Sequence, residues 1–384
     1  MPRPVPCMII RGGTSKGLYF LDRDLPPAGK DRDQALLALM GSPDPRQIDG
    51  LGGAASVTSK AAILGPSGRP GVDVEYTFAQ VSVDKPVVSY AGNCGNISSG
   101  VGPFAIESGL VRAGDPLTRL RILNTNTNKI LVEDIQTPAG QVSYQGNLRI
   151  PGVPGAAAPV KVLIEDPAGS VCGGLLPTGR AVDFLEIPGL GTLRVSLVDA
   201  ANPLVFALAG DVGMTGKEKP AEIEARPGLP GLLEKIRGEA AKTLGLVEKA
   251  EDSAWKSPTV PKMTIVAPPA DYESLPGRKI QAEGIDLLGR MMSMQRPHPA
   301  YALTGAMCTA AAAVIPGTIV YEVRRKEADL RRLRIGHPGG VLEAGVDYEE
   351  GPAGPLIQSA YGFRTARLLM KGTACYWRRN TEDD

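Results

Sequence analysis

Two residues in this chain carry reactive side chains in surroundings that could put them to work. Cys94 stands in "GNCGNISSGVGPF", between two Gly/Asn pairs, where a helix of small and apolar residues is about to begin. A helix start presents unpaired N–H groups and a partial positive charge, which bind anions and lower the pKa of a thiol. The small flanking residues let the backbone approach a carboxylate or an enolate oxygen, so Asn93, Gly95 and Asn96 are candidate substrate contacts. Lys60 closes "DGLGGAASVTSK" and leads into the apolar strand "AAIL". A lysine that loses solvation there titrates below its usual ~10.4 and becomes a usable base. On residue type alone, a solvated lysine at a strand end is the commoner outcome and the favoured reading.

Other segments offer less. "RGGTSKG" lacks the phosphate-loop spacing and precedes a strand, yet Thr14, Ser15 and Lys16 could hold a carboxylate. "GLGGAA" fits a dinucleotide fingerprint in form, but it follows the loop "SPDPRQID" where a strand is required. His298 and His337 are the two histidines, and no H-E-x-x-H occurs, so no metal centre is expected. A lone loop histidine is more often structural; His298 precedes a second apolar helix and is kept as a candidate substrate contact. Five scattered cysteines without C-x-x-C suggest neither a disulfide framework nor a zinc site.

These residues need elements to position them. The 47 glycines, 34 prolines and short Val/Ile-rich runs favour strands and tight turns, among them "TIVYEVRR" late in the chain and the hairpin "LRILNTNTNKILVEDI". Helices are expected over 31–40 and 230–244. Two more, over 98–109 and 304–315, are apolar almost all round and should be buried. Their repetition about two hundred residues apart suggests a duplicated α+β unit, a curved sheet around a central helix, twice. Thr304, Gly305 and Ala306, opening the second helix, are candidate carboxylate contacts through their N–H groups. A formal net charge of +1 and only 5% aromatic residues give no reason to expect nucleic acid or a membrane as partner. No leader or spanning segment is read, so a reducing cytoplasm is the default location.

Taken together, "RGGTSKG", "GSPDPRQIDGLGGA", "FAQVSVD", "GNCGNISSGVGPFAIESGLV", "NTNT", "LPTG", "MTG", "IPGTIV" and "RIGHPGG…RTAR" follow one another in an order that resembles a known family. It is that of PrpF-like 2-methylaconitate isomerase and 3-methylitaconate Δ-isomerase. The resemblance implies the diaminopimelate epimerase fold: two similar domains, over 1–183 (completed by about 370–384) and 184–369, with the active site in the cleft between them. It further implies cofactor-free 1,3-proton transfer in a small unsaturated di- or tricarboxylate, with Lys60 and Cys94 as the catalytic pair. No thiol stands near Ala302 or Leu303, where the epimerase places its second one, which disfavours a two-thiol racemase. Methylitaconate is the preferred substrate. The alternatives are cis–trans isomerisation of 2-methylaconitate or aconitate, and tautomerisation of 4-oxalomesaconate, whose enzymes are expected to fit less well. A catalytically silent organic-acid-binding protein is the reading from another class, and association into a homo-oligomer is left open.

Overall fold

The computed structural model describes residues 2–91, 94–352 and 354–377. The chain forms two compact units, 1–162 with 364–384, and 163–363. The sequence reading put these borders at 183 and about 370. Strands Pro159–Glu165 and Gly354–Tyr376 both run through the borders, so no loop marks them.

In the first unit, Arg3–Gly12 pairs antiparallel with the end of the 354–376 strand on one side and with Ser15–Leu21 on the other. The order continues through Lys60–Pro66, Val74–Val81, Leu117–Asn124 and Lys129–Gln136, alternating parallel and antiparallel. The expected Asn/Thr hairpin is the last of these pairs, in register from Leu117↔Gln136 to Asn124↔Lys129. The expected central helix arrives in two pieces, Gly95–Ser98 and Val101–Glu107, starting earlier than read. Pro103 causes the break: it has no N–H to return to the Ser99 carbonyl, so the ladder restarts there. Burial is nearly complete along both pieces.

The second unit repeats the pattern. Gly191–Ala200 pairs antiparallel with Asn202–Leu208, which runs parallel to Lys262–Ala267. Leu287–Ser293 follows antiparallel, Leu333–His337 parallel and Gly340–Gly351 antiparallel. The central helix Leu303–Val314 is buried along its whole length, as its composition demands. Two similar α+β units in one chain are thus a matter of strand pairing, although few residues match between them. The segment "TIVYEVRR", read as a strand, instead contains the short helix Ile319–Val323. Thr318 decides this by capping it, its Oγ1 accepting the Tyr321 N–H at 3.1 Å.

Candidate active site

Lys60 opens an interior strand whose next four residues, Ala61 to Leu64, are wholly apolar and buried. The flanking strands Ser15–Leu21 and Val74–Val81 close off both sides, so the lysine stem enters the protein interior. Only 7% of the residue remains exposed, against the solvated outcome favoured from residue type. Its Nζ donates to Oε1 of Gln80, the residue directly opposite in the antiparallel ladder, and lies 5.2 Å from the centroid of the Phe78 ring. The Gln80 amide is itself held, its Nε2 donating to the carbonyls of Ser59 (2.9 Å) and Ser56 (3.1 Å). That leaves Oε1 to face the amine. Burial lowers the Lys60 pKa, and a negative charge at Cys94 works the other way.

Cys94 is half-buried, outside any disulfide, and stands immediately before the helical turn Gly95–Ser98. Its carbonyl accepts the Ser98 N–H at 2.8 Å and the Ser98 hydroxyl at 3.1 Å, which fixes the backbone on which the thiol is mounted. Close packing of that turn on the first hairpin depends on glycine. A Cβ on Gly12 would sit 2.3 Å from the Asn96 carbonyl oxygen, and one on Gly13, whose φ is +51°, 2.2 Å from Asn96 Oδ1. A Cβ on Gly17 would come within 2.8 Å of the Lys60 carbonyl oxygen.

A fully buried cation, Arg364, completes the group. Its Nε donates to Asn96 Oδ1 at 2.8 Å, and Asn96 Nδ2 donates to Thr14 Oγ1 at 3.1 Å. Burial brings the guanidinium down to about 9, with a charge on Cys94 opposing that shift. Behind the helix start, Glu133 is completely buried. One carboxyl oxygen accepts the Gly102 N–H at 2.9 Å, the other has no partner among the described residues, and burial lifts its pKa to about 8. Tyr19 is buried too, donating to the Ile97 carbonyl at 2.6 Å.

The sequence-derived residues separate into groups. Lys60, Cys94, Asn96 and Thr14 come together, with Gly95 buried at the turn itself. Ser15 is buried on the same face of the hairpin as Gly17, whereas Lys16 points to the opposite face, where it lines a separate cavity. Asn93 lies outside the described residues. In the second unit His298 is buried, and its Nδ1 accepts the Ala300 N–H at 2.9 Å. Thr304 is buried, with a hydroxyl that has no partner among the described residues; Gly305 abuts Met291. The Ala306 N–H was expected to face a carboxylate. It donates instead to the Ala302 carbonyl at 2.8 Å, because the helix starts at Leu303 and this is already its fourth residue.

Sequence reasoning missed Gln80, Arg364 and Glu133. The first could have been found from strand register opposite Lys60; nothing local distinguishes the buried arginine of "GFRTAR" or the glutamate of "KILVEDIQ" from exposed ones. Among the described residues, no group of three or more His, Cys, Asp or Glu is arranged to hold a metal ion.

The family described as PrpF protein matches residues 3–376. Over 369 residues the chain is 45% identical to 3-methylitaconate isomerase of Eubacterium barkeri, covering 96% of each chain. It is 44% identical over 368 residues to (4E)-oxalomesaconate Delta-isomerase of Novosphingobium sp. (strain KA1), again covering 96% of each. Overall identity does not separate these two relatives. The crystal structure of methylitaconate-delta-isomerase superposes with a TM-score of 0.80 at 44% identity, covering 98% of this chain and 96% of that one. A hydroxyproline epimerase from Agrobacterium vitis shares the fold alone, with a TM-score of 0.56 at 11% identity, covering 97% of this chain and 93% of that one. The fold is therefore of the diaminopimelate epimerase kind, and the chain belongs to the PrpF family and is an isomerase.

Proposed function

We propose that this isomerase moves a carbon–carbon double bond by 1,3-proton transfer in a small unsaturated di- or tricarboxylate, most like 3-methylitaconate, with Lys60 and Cys94 as the proton-transfer pair. The observation that carries the reading is the buried Lys60 amine, lowered in pKa and within electrostatic reach of a thiol at a helix start.

The chemical difficulty is the charge. Removing a proton from the carbon allylic to the double bond adds a further negative charge to a molecule that already carries one on each carboxylate. Neutral Lys60 takes that proton and becomes an ammonium; the electron pair spreads through the allyl system into the conjugated carboxylate as a dienolate. Cys94 gives its proton to the far carbon of the allyl system, the double bond settles one position along, and the thiolate left behind faces the new ammonium. Transfer of one proton from Lys60 to Cys94 restores the starting state. In the reverse direction the two exchange roles, since their protons are coupled. Arg364 and the Lys60 ammonium supply positive charge while the dienolate exists, in surroundings too dry for water to do so. Thr14, Asn96 and the Gly95 backbone are the nearest groups to orient a carboxylate.

Proton NMR of the protein with 3-methylitaconate in deuterated water tests this. Deuterium should enter the allylic position as the isomer forms, and Cys94→Ser should abolish most of the exchange. Retention of full binding with no exchange by the unmodified protein would instead identify a silent organic-acid-binding protein. The second substrate reading, oxalomesaconate, rests on the 44% relative, and the same experiment with that compound decides between them. We place the enzyme in a reducing cytoplasm, in keeping with five cysteines free of disulfides. No helix among the described residues is long and apolar enough to cross a membrane.

A further inference from the structure

The hairpin that supports the Cys94 turn has a second face. Its strands place Arg11 directly opposite Lys16, and on the other side Arg11 is directly opposite Arg367. Three cations therefore stand abreast across three adjacent strands, and successive residues on a strand face opposite ways, so this row lies on the other side of the sheet from Gly12 and Gly17. Like charges directly opposed, with Cβ atoms roughly 5 Å apart, are destabilising. Among the described residues none of the three forms a salt bridge. The Arg11 guanidinium donates only to neutral acceptors, the carbonyls of Gly13 and Thr365, both at 2.8 Å. Burial and the neighbouring Arg367 both make its charge harder to keep.

All three side chains line one cavity of about 370 Å³, whose lining also holds the hydrocarbon side chains of Leu148, Ile150 and Val153 and, two residues along the strand from Arg367, Leu369. A row of cations without a salt bridge among the described residues, sharing a cavity with apolar side chains, suits a ligand with an anionic head and a short hydrocarbon body. We propose that this cavity binds a small organic anion, a phosphate ester or a carboxylate, at a site separate from Lys60 and Cys94. The head lies across Arg11, Lys16 and Arg367; the hydrocarbon part packs on the apolar side chains. Binding offsets the repulsion within the row, so it must appear as added stability of the folded protein.

Thermal unfolding with butyl phosphate, hexanoate and inorganic phosphate, each against sodium chloride at equal ionic strength, tests the site. Butyl phosphate or hexanoate should raise Tm by several degrees beyond the salt control, and whichever is stronger identifies the head group. Inorganic phosphate should do less; if it equals butyl phosphate, the apolar side chains take no part and that half of the proposal falls. Arg367→Gln, at an exposed position, should unfold at or above the temperature of the unmodified protein without ligand, because one repulsion is gone, and should lose most of the anion response. Cys94→Ser should keep the response in full. A response no larger than that to salt, an undiminished response in Arg367→Gln, or its loss in Cys94→Ser would each overturn the proposal, the last by showing that the anion occupies the Lys60–Cys94 site.

Discussion

The two units share one order of strand pairing, yet only the first carries the proposed proton-transfer pair, Lys60 and Cys94. The strand that opens on Lys60 in one unit opens on Lys262 in the other, and the residue preceding the central helix is Cys94 in one and Ala302 in the other. The two lysines differ in surroundings. Lys60 is buried against the Gln80 amide and the Phe78 ring, whereas Lys262 is half-exposed and its Nζ donates to the Thr259 carbonyl at 3.0 Å. A duplicated scaffold thus supplies the same positions twice, and a buried lysine with a thiol before the helix, found in the first copy, is what the proposed proton-transfer pair rests on. The racemase arrangement, with a thiol at both helix starts, is absent at Ala302, which is consistent with proton transfer along one allyl system by an unlike pair.

The sharpest way to break this comparison is to neutralise each lysine in turn. Lys60→Gln should lower kcat by about 10²–10⁴, the usual contribution of a positioned base, while Lys262→Gln should leave turnover within about twofold. Equal losses in steady-state assays would mean that the comparison misplaces the chemistry. Arg364→Gln comes next. It removes a buried charge beside Cys94 and the strut to Asn96, and a lost charge-assisted hydrogen bond of about 1.5–3 kcal/mol corresponds to roughly 10–100-fold in kcat/KM. Arg364→Lys should rescue only part of this, because an ammonium cannot keep the guanidinium geometry.

The pH profile sharpens the difference further. Lys60 acts as a base only when neutral, and burial lowers its pKa, so kcat/KM should rise with pH through a limb that lies below the ordinary lysine value. The same depression means that the folded state binds fewer protons at this site than the unfolded chain. Lys60 therefore costs stability below its folded pKa, and the cost is relieved as pH rises toward the unfolded value. Lys60→Met should accordingly be more thermostable than the parent, by a margin that shrinks in alkali. The last effect concerns stability alone, at Glu133. Its pKa is raised to about 8, so the folded state keeps a proton that the unfolded chain gives up near pH 4.5. Its contribution to stability is fully present below the unfolded pKa and is lost as pH rises through the folded one, at up to about 1.4 kcal/mol per pH unit. Glu133→Gln should flatten that stretch of the stability profile in denaturant titrations at pH 5–9, and an unchanged slope would place the carboxyl's titration elsewhere.

Much of this protein is determined by its sequence alone. Apolar residues all round 98–109 and 304–315 require burial, since a helix with no polar face has no surface to give to water. Short Val/Ile-rich segments separated by glycine and proline require strands, and the flanking of Cys94 requires a tight, polar turn. What only the tertiary structure decided is which charged residues lose their water. Lys60, Glu133 and Arg364 look like any lysine, glutamate or arginine in the chain, because desolvation is a property of what folds over a side chain and not of the side chain. Strand pairing makes Gln80, 20 residues away, the partner of Lys60 and brings Arg364 to Asn96 across most of the chain. Pairing also sends Lys16 to the face opposite Ser15, where it joins Arg11 and Arg367. Most helix and strand types follow local periodicity, "TIVYEVRR" being an exception decided by the Thr318 cap; the burial of the candidate site follows contacts between residues far apart in sequence, which no local pattern encodes.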